Sequence, residues 1–112
     1  MSKLTTEELN QAAMQIIMSA GNGRNLLTEA VNDTLSGATD LEVDEKLKLA
    51  KEQIVAAHRV QTDTIQCSID DETLQTTLLF SHAQDTLMTI YSEQNTMGAM
   101  IQMYRKLLSK ID

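Results

Sequence analysis

Apolar side chains recur every three or four residues along most of the chain, with polar residues filling the positions between. Leu9, Ala12, Ala13, Ile16, Ile17 and Ala20 follow this rule, and Leu27, Ala30 and Val31 resume it seven residues after Ala20. That is the period of a helix burying one face. Because the phase survives Gly21 and Gly23, it predicts one helix from about Thr6 to Leu35, with small residues allowing close packing in its middle. Thr5 and Glu8 have the spacing of a capping box at its start.

Ser36-Gly37-Ala38-Thr39-Asp40 reads as a turn, and Thr39 with Glu42 offers a second capping box. The second helix carries Val43, Leu47, Ala50, Ile54, Ala57, His58, Gln61 and Ile65 on one stripe. Glu42, Glu45, Lys46, Glu52, Arg59 and Asp63 form its solvated far face. Ser68-Ile69-Asp70-Asp71 ends it and supplies caps for a third helix, from about Asp71 to Ser109 and roughly 55–60 Å long. The third seam reads Thr76, Phe80, Ala83, Leu87, Ile90, Gln94, Met97, Ile101, Tyr104, Leu108, Ile111. Its steps alternate four and three, the signature of a left-handed coiled bundle. Leu79, Met88, Met100, Met103 and Leu107 lie off that seam. The combined apolar surface is wider than two short neighbours need, which argues for self-association into a trimer or another small oligomer.

Composition sharpens this to a single all-α domain spanning residues 1–112. Proline is absent, glycine occurs four times, and the aromatics are Phe80, Tyr91 and Tyr104, so the core must be aliphatic and rich in methionine. A formal net charge of −7 makes nucleic acid an improbable partner. Cys67 is the only cysteine, which excludes an internal disulfide and a cysteine-based zinc site, and no base neighbours it in sequence. The first residues lack an apolar leader region and no run of eighteen apolar residues occurs, so no direct membrane insertion is expected and the protein should be soluble and cytoplasmic. Arg105-Lys106 is a small basic spot expected to be solvated.

One run needs a chemical reason. In His82-Ala83-Gln84-Asp85-Thr86-Leu87-Met88-Thr89, helical spacing gathers His82, Asp85, Thr86 and Thr89 on one face of an otherwise core-like segment. Imidazole suits reversible covalent chemistry near neutral pH, because much of it is a neutral nucleophile there. A carboxylate one turn along can fix its tautomer or hold a cation. By residue type alone, a histidine in an apolar stripe is more often structural. His58, on the inward stripe beside Gln61, reads as a packing or supporting residue. Gln61 and Gln84 could offer amides to phosphoryl oxygens or make ordinary polar contacts.

The string from His82 to Thr89 resembles the His-(Ala/Gly)-Gln-Asp-His-Leu-Met-Thr stretch of the enzyme IIA components of the lactose/cellobiose/chitobiose class of the bacterial phosphoenolpyruvate-dependent sugar phosphotransferase system. Ala57-His58-Arg59-Val60-Gln61-Thr62 is similar to that family's Ala-His-x-x-Gln-Thr, and Ala20-Gly21-Asn22-Gly23-Arg24 to its Ala-Gly-x-Ala-Arg. The resemblance spans about residues 7 to 108 and implies a homotrimer of antiparallel three-helix bundles, each with a long C-terminal helix. It implies that His82 is the catalytic residue, loaded by HPr and unloaded onto a cysteine of the cognate enzyme IIB during uptake of a β-linked disaccharide. Gln84, Thr86, Gln61 and His58 would surround the phosphoryl group or support those that do. Asp85 would lie near a threefold axis, where three copies can share a divalent metal ion such as Mg2+. Like charges so close repel unless a cation or shared protons compensate.

The family usually has a second histidine where this chain has Thr86. A hydroxyl can hydrogen-bond a phosphoryl oxygen but cannot carry positive charge. The competing expectation is therefore a non-catalytic helical adaptor or regulator that keeps the fold.

Overall fold

The computed structural model describes residues 4–69, 71 and 75–111, and among them the chain is three helices: α1 (Thr6–Leu35), α2 (Asp40–Ser68) and α3 (Leu78–Ile111). They form an all-α three-helix bundle about 62 × 20 × 17 Å in extent. No helix among the described residues is long and apolar enough to cross a membrane.

The first helix has the expected bounds, and both halves of its capping box form. Glu8 N–H donates to the Thr5 hydroxyl and Thr5 N–H donates to the Glu8 carboxylate, each at 3.0 Å. The helix runs unbroken through Gly21-Asn22-Gly23. It ends in a Schellman motif: Ala38 N–H reaches Asp33 C=O at 3.0 Å and Gly37 N–H reaches Thr34 C=O at 3.3 Å. That geometry needs a left-handed residue at position 37, and Gly37 supplies it at φ 87° without a Cβ penalty. Thr39 then caps α2 through its hydroxyl, which accepts from Glu42 N–H at 3.2 Å.

The start of α3 corrects the sequence expectation. The helix begins at Leu78 rather than near Asp71, and its cap is Thr77, whose hydroxyl accepts from Phe80 N–H at 3.1 Å. Asp70 and residues 72–74 fall outside the described residues, while Asp71 and 75–77 are non-helical, so Thr76 precedes the seam rather than opening it. The physical reason is local. Thr76 and Thr77 are β-branched and poor in a helix interior, and a threonine hydroxyl gains more by capping. The 34 residues of α3 give a length of about 51 Å.

One buried cluster joins the helices through Leu9, Ile16, Leu27, Ile54, Phe80, Leu87 and Ile90, and a smaller one through Ala30, Val43 and Ile101. Ala13, Ala20, Ala50, Ala57 and Ala83 are fully buried between these larger groups and keep the axes close. Contact is close at Gly23, where an added Cβ would lie 2.7 Å from Ile54 Cγ1 and 3.2 Å from the Ala50 carbonyl oxygen. In α2 the inward phase passes through Thr64 instead of Ile65; its hydroxyl donates to Val60 C=O at 2.7 Å and so satisfies itself inside the core.

Two groups expected on solvated faces instead tie helices together. Lys46 bridges Asp33 and Glu29 of α1. Arg105 reaches the start of α2, with Nη2 2.9 Å from Asp44 Oδ1 and Nε 3.1 Å from Asp40 Oδ1. The wide apolar surface expected on α3 is present and uncovered by α1 or α2: Met88, Met100, Met103 and Leu107 are all more than half exposed. Leu108 and Ile111 of the first seam are also exposed, because α3 runs past the ends of its neighbours.

Two expectations follow. Gly23→Ala should destabilise the protein by about 1–3 kcal/mol, since Ile54 must move. Gly21→Ala, with open space around the new methyl, should stabilise it by up to about 1 kcal/mol through helix propensity. Urea unfolding of the two variants gives opposite shifts of midpoint if the close approach at Gly23 is real. The Asp33 hydrogen bond, aided by the charges of Asp33 and Glu29 and opposed by burial, raises the Lys46 pKa above the ordinary lysine value of 10.5. A raised folded-state value means the contribution is full below 10.5 and is lost as pH climbs through the higher folded value. Stability above pH 10.5 should therefore fall more steeply in the parent than in Lys46→Met, as chemical denaturation across that range will show.

Candidate functional site

The inward turn of Phe80, Ala83, Leu87 and Ile90 forces the intervening residues outward. His82, Asp85 and Thr89 are exposed, and Gln84 and Thr86 are half-buried. The polar cluster foreseen on one face of the helix is thus presented to solvent from within the second, third and fourth turns of α3, on backbone held by core contacts. The Thr89 hydroxyl donates to the Asp85 main-chain carbonyl at 2.9 Å. Among the described residues, the His82 imidazole and the Asp85 carboxylate make no hydrogen bond or ion pair, so Asp85 does not fix the imidazole tautomer within one chain.

His58 departs from the sequence expectation. It is exposed, not inward, because Ala57 and Thr64 occupy the buried line of α2 and the intervening turn carries His58 to the edge facing α3. There its ring lies 6.2 Å from that of Tyr91, tilted at 57°. It lines a groove between α2 and α3 that does not include His82, so the structure does not bring the two histidines together. Gln61 is half-buried, and its Oε1 is buried without a hydrogen-bond partner. Among the described residues no hydrogen bond links Gln61 to His82, and a phosphoryl oxygen would draw on the amide's N–H donors and not on this oxygen.

Within one chain a metal has little to hold. Among the described residues no group of three or more His, Cys, Asp or Glu side chains converges, and Asp85 contributes a single carboxylate. Divalent cations of the Mg2+ or Ca2+ kind take several oxygen ligands. Asp85 fits such an ion only where symmetry multiplies it. Cys67 is exposed and free, near the end of α2.

Sequence reasoning missed the pair Arg24–Glu93, in which Nε donates to Oε1 at 2.8 Å across α1 and α3. Arg24 was visible at the end of the Ala20–Arg24 segment, but nothing local pointed to a partner 69 residues away. Tyr91, the ring neighbour of His58, escaped for the same reason.

Comparison with known proteins gives the site its context. Residues 11–105 match the family described as the PTS system, lactose/cellobiose specific IIA subunit. The chain is 38% identical over 101 residues to the lichenan-specific phosphotransferase enzyme IIA component of Bacillus subtilis (strain 168), covering 90% of this chain and 91% of that protein. It is 30% identical over 106 residues to the PTS system lactose-specific EIIA component of Staphylococcus epidermidis, covering 92% and 98%. Its fold matches the crystal structure of the PTS cellobiose-specific enzyme IIA from Bacillus anthracis with a TM-score of 0.83 and 36% identity, over 96% of this chain and 95% of that one.

The unpartnered oxygen of Gln61 makes a testable cost. Gln61→Met keeps length while removing the buried acceptor, and should raise stability by about 1 kcal/mol or more in urea unfolding. A loss of stability would show that the amide holds a favourable contact instead.

Proposed function

The chain belongs to the lactose/cellobiose-specific enzyme IIA family of the phosphotransferase system, whose members serve as phosphocarriers, and from that premise we propose that His82 is the residue that carries the phosphoryl group. The donor is the phosphohistidine of HPr, and the acceptor is a cysteine of the cognate enzyme IIB. A neutral imidazole nitrogen of His82 attacks phosphorus as the P–N bond to the donor histidine breaks. The enzyme IIB thiolate then attacks the same phosphorus, forming a P–S bond and returning His82 to imidazole.

The observation that carries this reading is the exposure of His82 on rigid helical backbone. Both exchange partners are proteins, so the nucleophile must project into an approaching surface and yet hold its direction. Thr86, one turn along, can donate its hydroxyl to a phosphoryl oxygen, and Gln84 can donate its amide N–H groups. Neither adds positive charge. His58 and the Gln61 oxygen lie elsewhere in the single chain and are assigned no contact with the phosphoryl group here.

The same reading includes an antiparallel course for the helices and a homotrimer. Salt bridges from Lys46 back to Asp33 and from Arg105 back to Asp44 support the first. For the second, Asp85, Thr89, Ser92, Thr96, Ala99 and Met103 are all exposed and advance by alternating steps of four and three, a second heptad seam on α3 turned away from its own bundle. Pairing that seam around a threefold axis would cover Met103 and Leu107 and gather three Asp85 carboxylates. A divalent ion such as Mg2+ would offset their repulsion there.

A β-linked disaccharide as the transported sugar rests on the lichenan, cellobiose and lactose relatives; this chain would not bind the sugar itself. The substitution of Thr86 for the family's second histidine favours the competing reading, a non-catalytic adaptor that retains the fold.

Incubation with phosphoenolpyruvate, enzyme I and HPr separates the two. The carrier gains an acid-labile mass of one phosphate, His82→Gln abolishes it, and His58→Gln retains it. Label on the His82 variant but not the His58 variant would reverse the assignment. Sedimentation should show a species about three times the 12.5 kDa chain mass. Asp85→Leu should raise the melting temperature of the metal-free trimer and leave phosphorylation at least partly intact. Chelator should lower the melting temperature of the parent alone; an unaffected parent and a dissociated variant would refute the shared-carboxylate site.

A further inference from the structure

Between α2 and α3 lies a groove of about 630 Å3 whose lining does not include His82. It is lined by Lys51, His58, Arg59 and Thr62 from α2 and by Tyr91 and Asn95 from α3. The size falls within the range of small-ligand sites. We propose that this groove binds a small organic phosphate, its phosphate held by Lys51 and Arg59 and its ring laid against Tyr91 and His58.

Charge is the first argument. The chain is strongly acidic, and Arg24, Lys46 and Arg105 are each paired with carboxylates. Lys51 and Arg59 have no such partner among the described residues, although both line the same recess. Asp63 is the one carboxylate beside them there. Two cations against one carboxylate leave the recess with a net positive charge on an otherwise acidic protein, a local field that favours an anion.

Geometry is the second. Lys51, Val55 and Arg59 follow one another at four-residue steps, so they form one ridge of α2 with about 12 Å between the outer two backbones. Long side chains at either end can converge above Val55, which is itself partly exposed in the groove. A guanidinium fork and a mobile ammonium make a matched pair for phosphate. Tyr91, 45% exposed, then supplies a flat aromatic face, with the His58 ring tilted at 57° beside it. Thr62 and Asn95 provide hydroxyl and amide groups for the polar edge of a sugar or base. Inorganic phosphate would leave that face unused, and a neutral sugar would leave both cations unused.

Titration of the full chain with glucose 6-phosphate and, separately, AMP, followed by calorimetry, tests this. One or both esters should bind saturably and at least about tenfold more tightly than inorganic phosphate or glucose. Tighter binding of glucose 6-phosphate identifies a sugar as the ring, and tighter binding of AMP a base. Lys51→Gln and Arg59→Gln should each weaken the ester by about tenfold or more, and Tyr91→Ala should reduce it to the level of inorganic phosphate. His82→Gln should leave binding unchanged, so success or failure here is independent of the phosphohistidine assignment. No saturation by either ester up to about 10 mM, binding indifferent to Lys51 and Arg59, or binding lost with His82, overturns the proposal.

Discussion

The close approach of α1 and α2 at Gly23 is the constraint on which the rest of the molecule depends. With no Cβ at that position, the Ile54 side chain and the Ala50 carbonyl lie where a methyl group would otherwise be. Alanines at 13, 20, 50, 57 and 83 extend the same economy of volume along the bundle. Helices packed that tightly leave a narrow interior, filled by one line of buried residues per helix in which alanines alternate with a few larger side chains. Every other residue must face outward or lie at a seam. The chemistry of this protein is therefore a chemistry of helix surfaces, and its direction is decided by which positions the core has claimed.

That allocation explains the contrast between the two histidines. On α3 the core takes 80, 83, 87 and 90, and His82 is turned out with Asp85 and Thr89. On α2 it takes 50, 54, 57 and 64, and His58 is turned toward the α2–α3 edge, where Tyr91 meets it. The two side chains share a residue type but not a surface. Ion pairs then fix the helices against sliding: Lys46 to Asp33 and Arg105 to Asp44 at the end of the rod where α2 begins, and Arg24 to Glu93 farther along it. Each is partly exposed and contributes modestly to stability. Their geometric effect is larger, because α3 is tied at two points, Glu93 to α1 and Arg105 to α2, and the direction of His82 follows from the register so held.

The outward face of α3 has a second consequence. Its inward seam is satisfied by α1 and α2, yet the helix carries more apolar surface than they cover, at Met88, Met100, Met103 and Leu107. Exposed apolar side chains grouped in this way are of the kind found on interaction surfaces. The same face bears Asp85 above the methionines, so any association along it must also accommodate that carboxylate and the hydroxyls of Thr89, Ser92 and Thr96.

Much of this was written in the sequence. Three helices, the unbroken run through Gly21 and Gly23, both threonine caps before α1 and α2, and the turn around Gly37 follow from local rules: apolar period, hydroxyl caps, and a left-handed position that suits glycine. The late start of α3 was missed because apolar periodicity reports burial and says nothing of whether Thr77 will prefer to cap or to continue a helix. His82 stood out through its neighbours in the string, and its outward aim follows from the phase of Ala83 and Leu87. The pairings Arg24–Glu93, Arg105–Asp44 and His58–Tyr91, the unpartnered oxygen of Gln61, and the groove between α2 and α3 belong to the tertiary structure alone. Each depends on the azimuth and height at which one helix meets another. Those quantities are set by the summed packing of distant side chains, so no local window of sequence contains them.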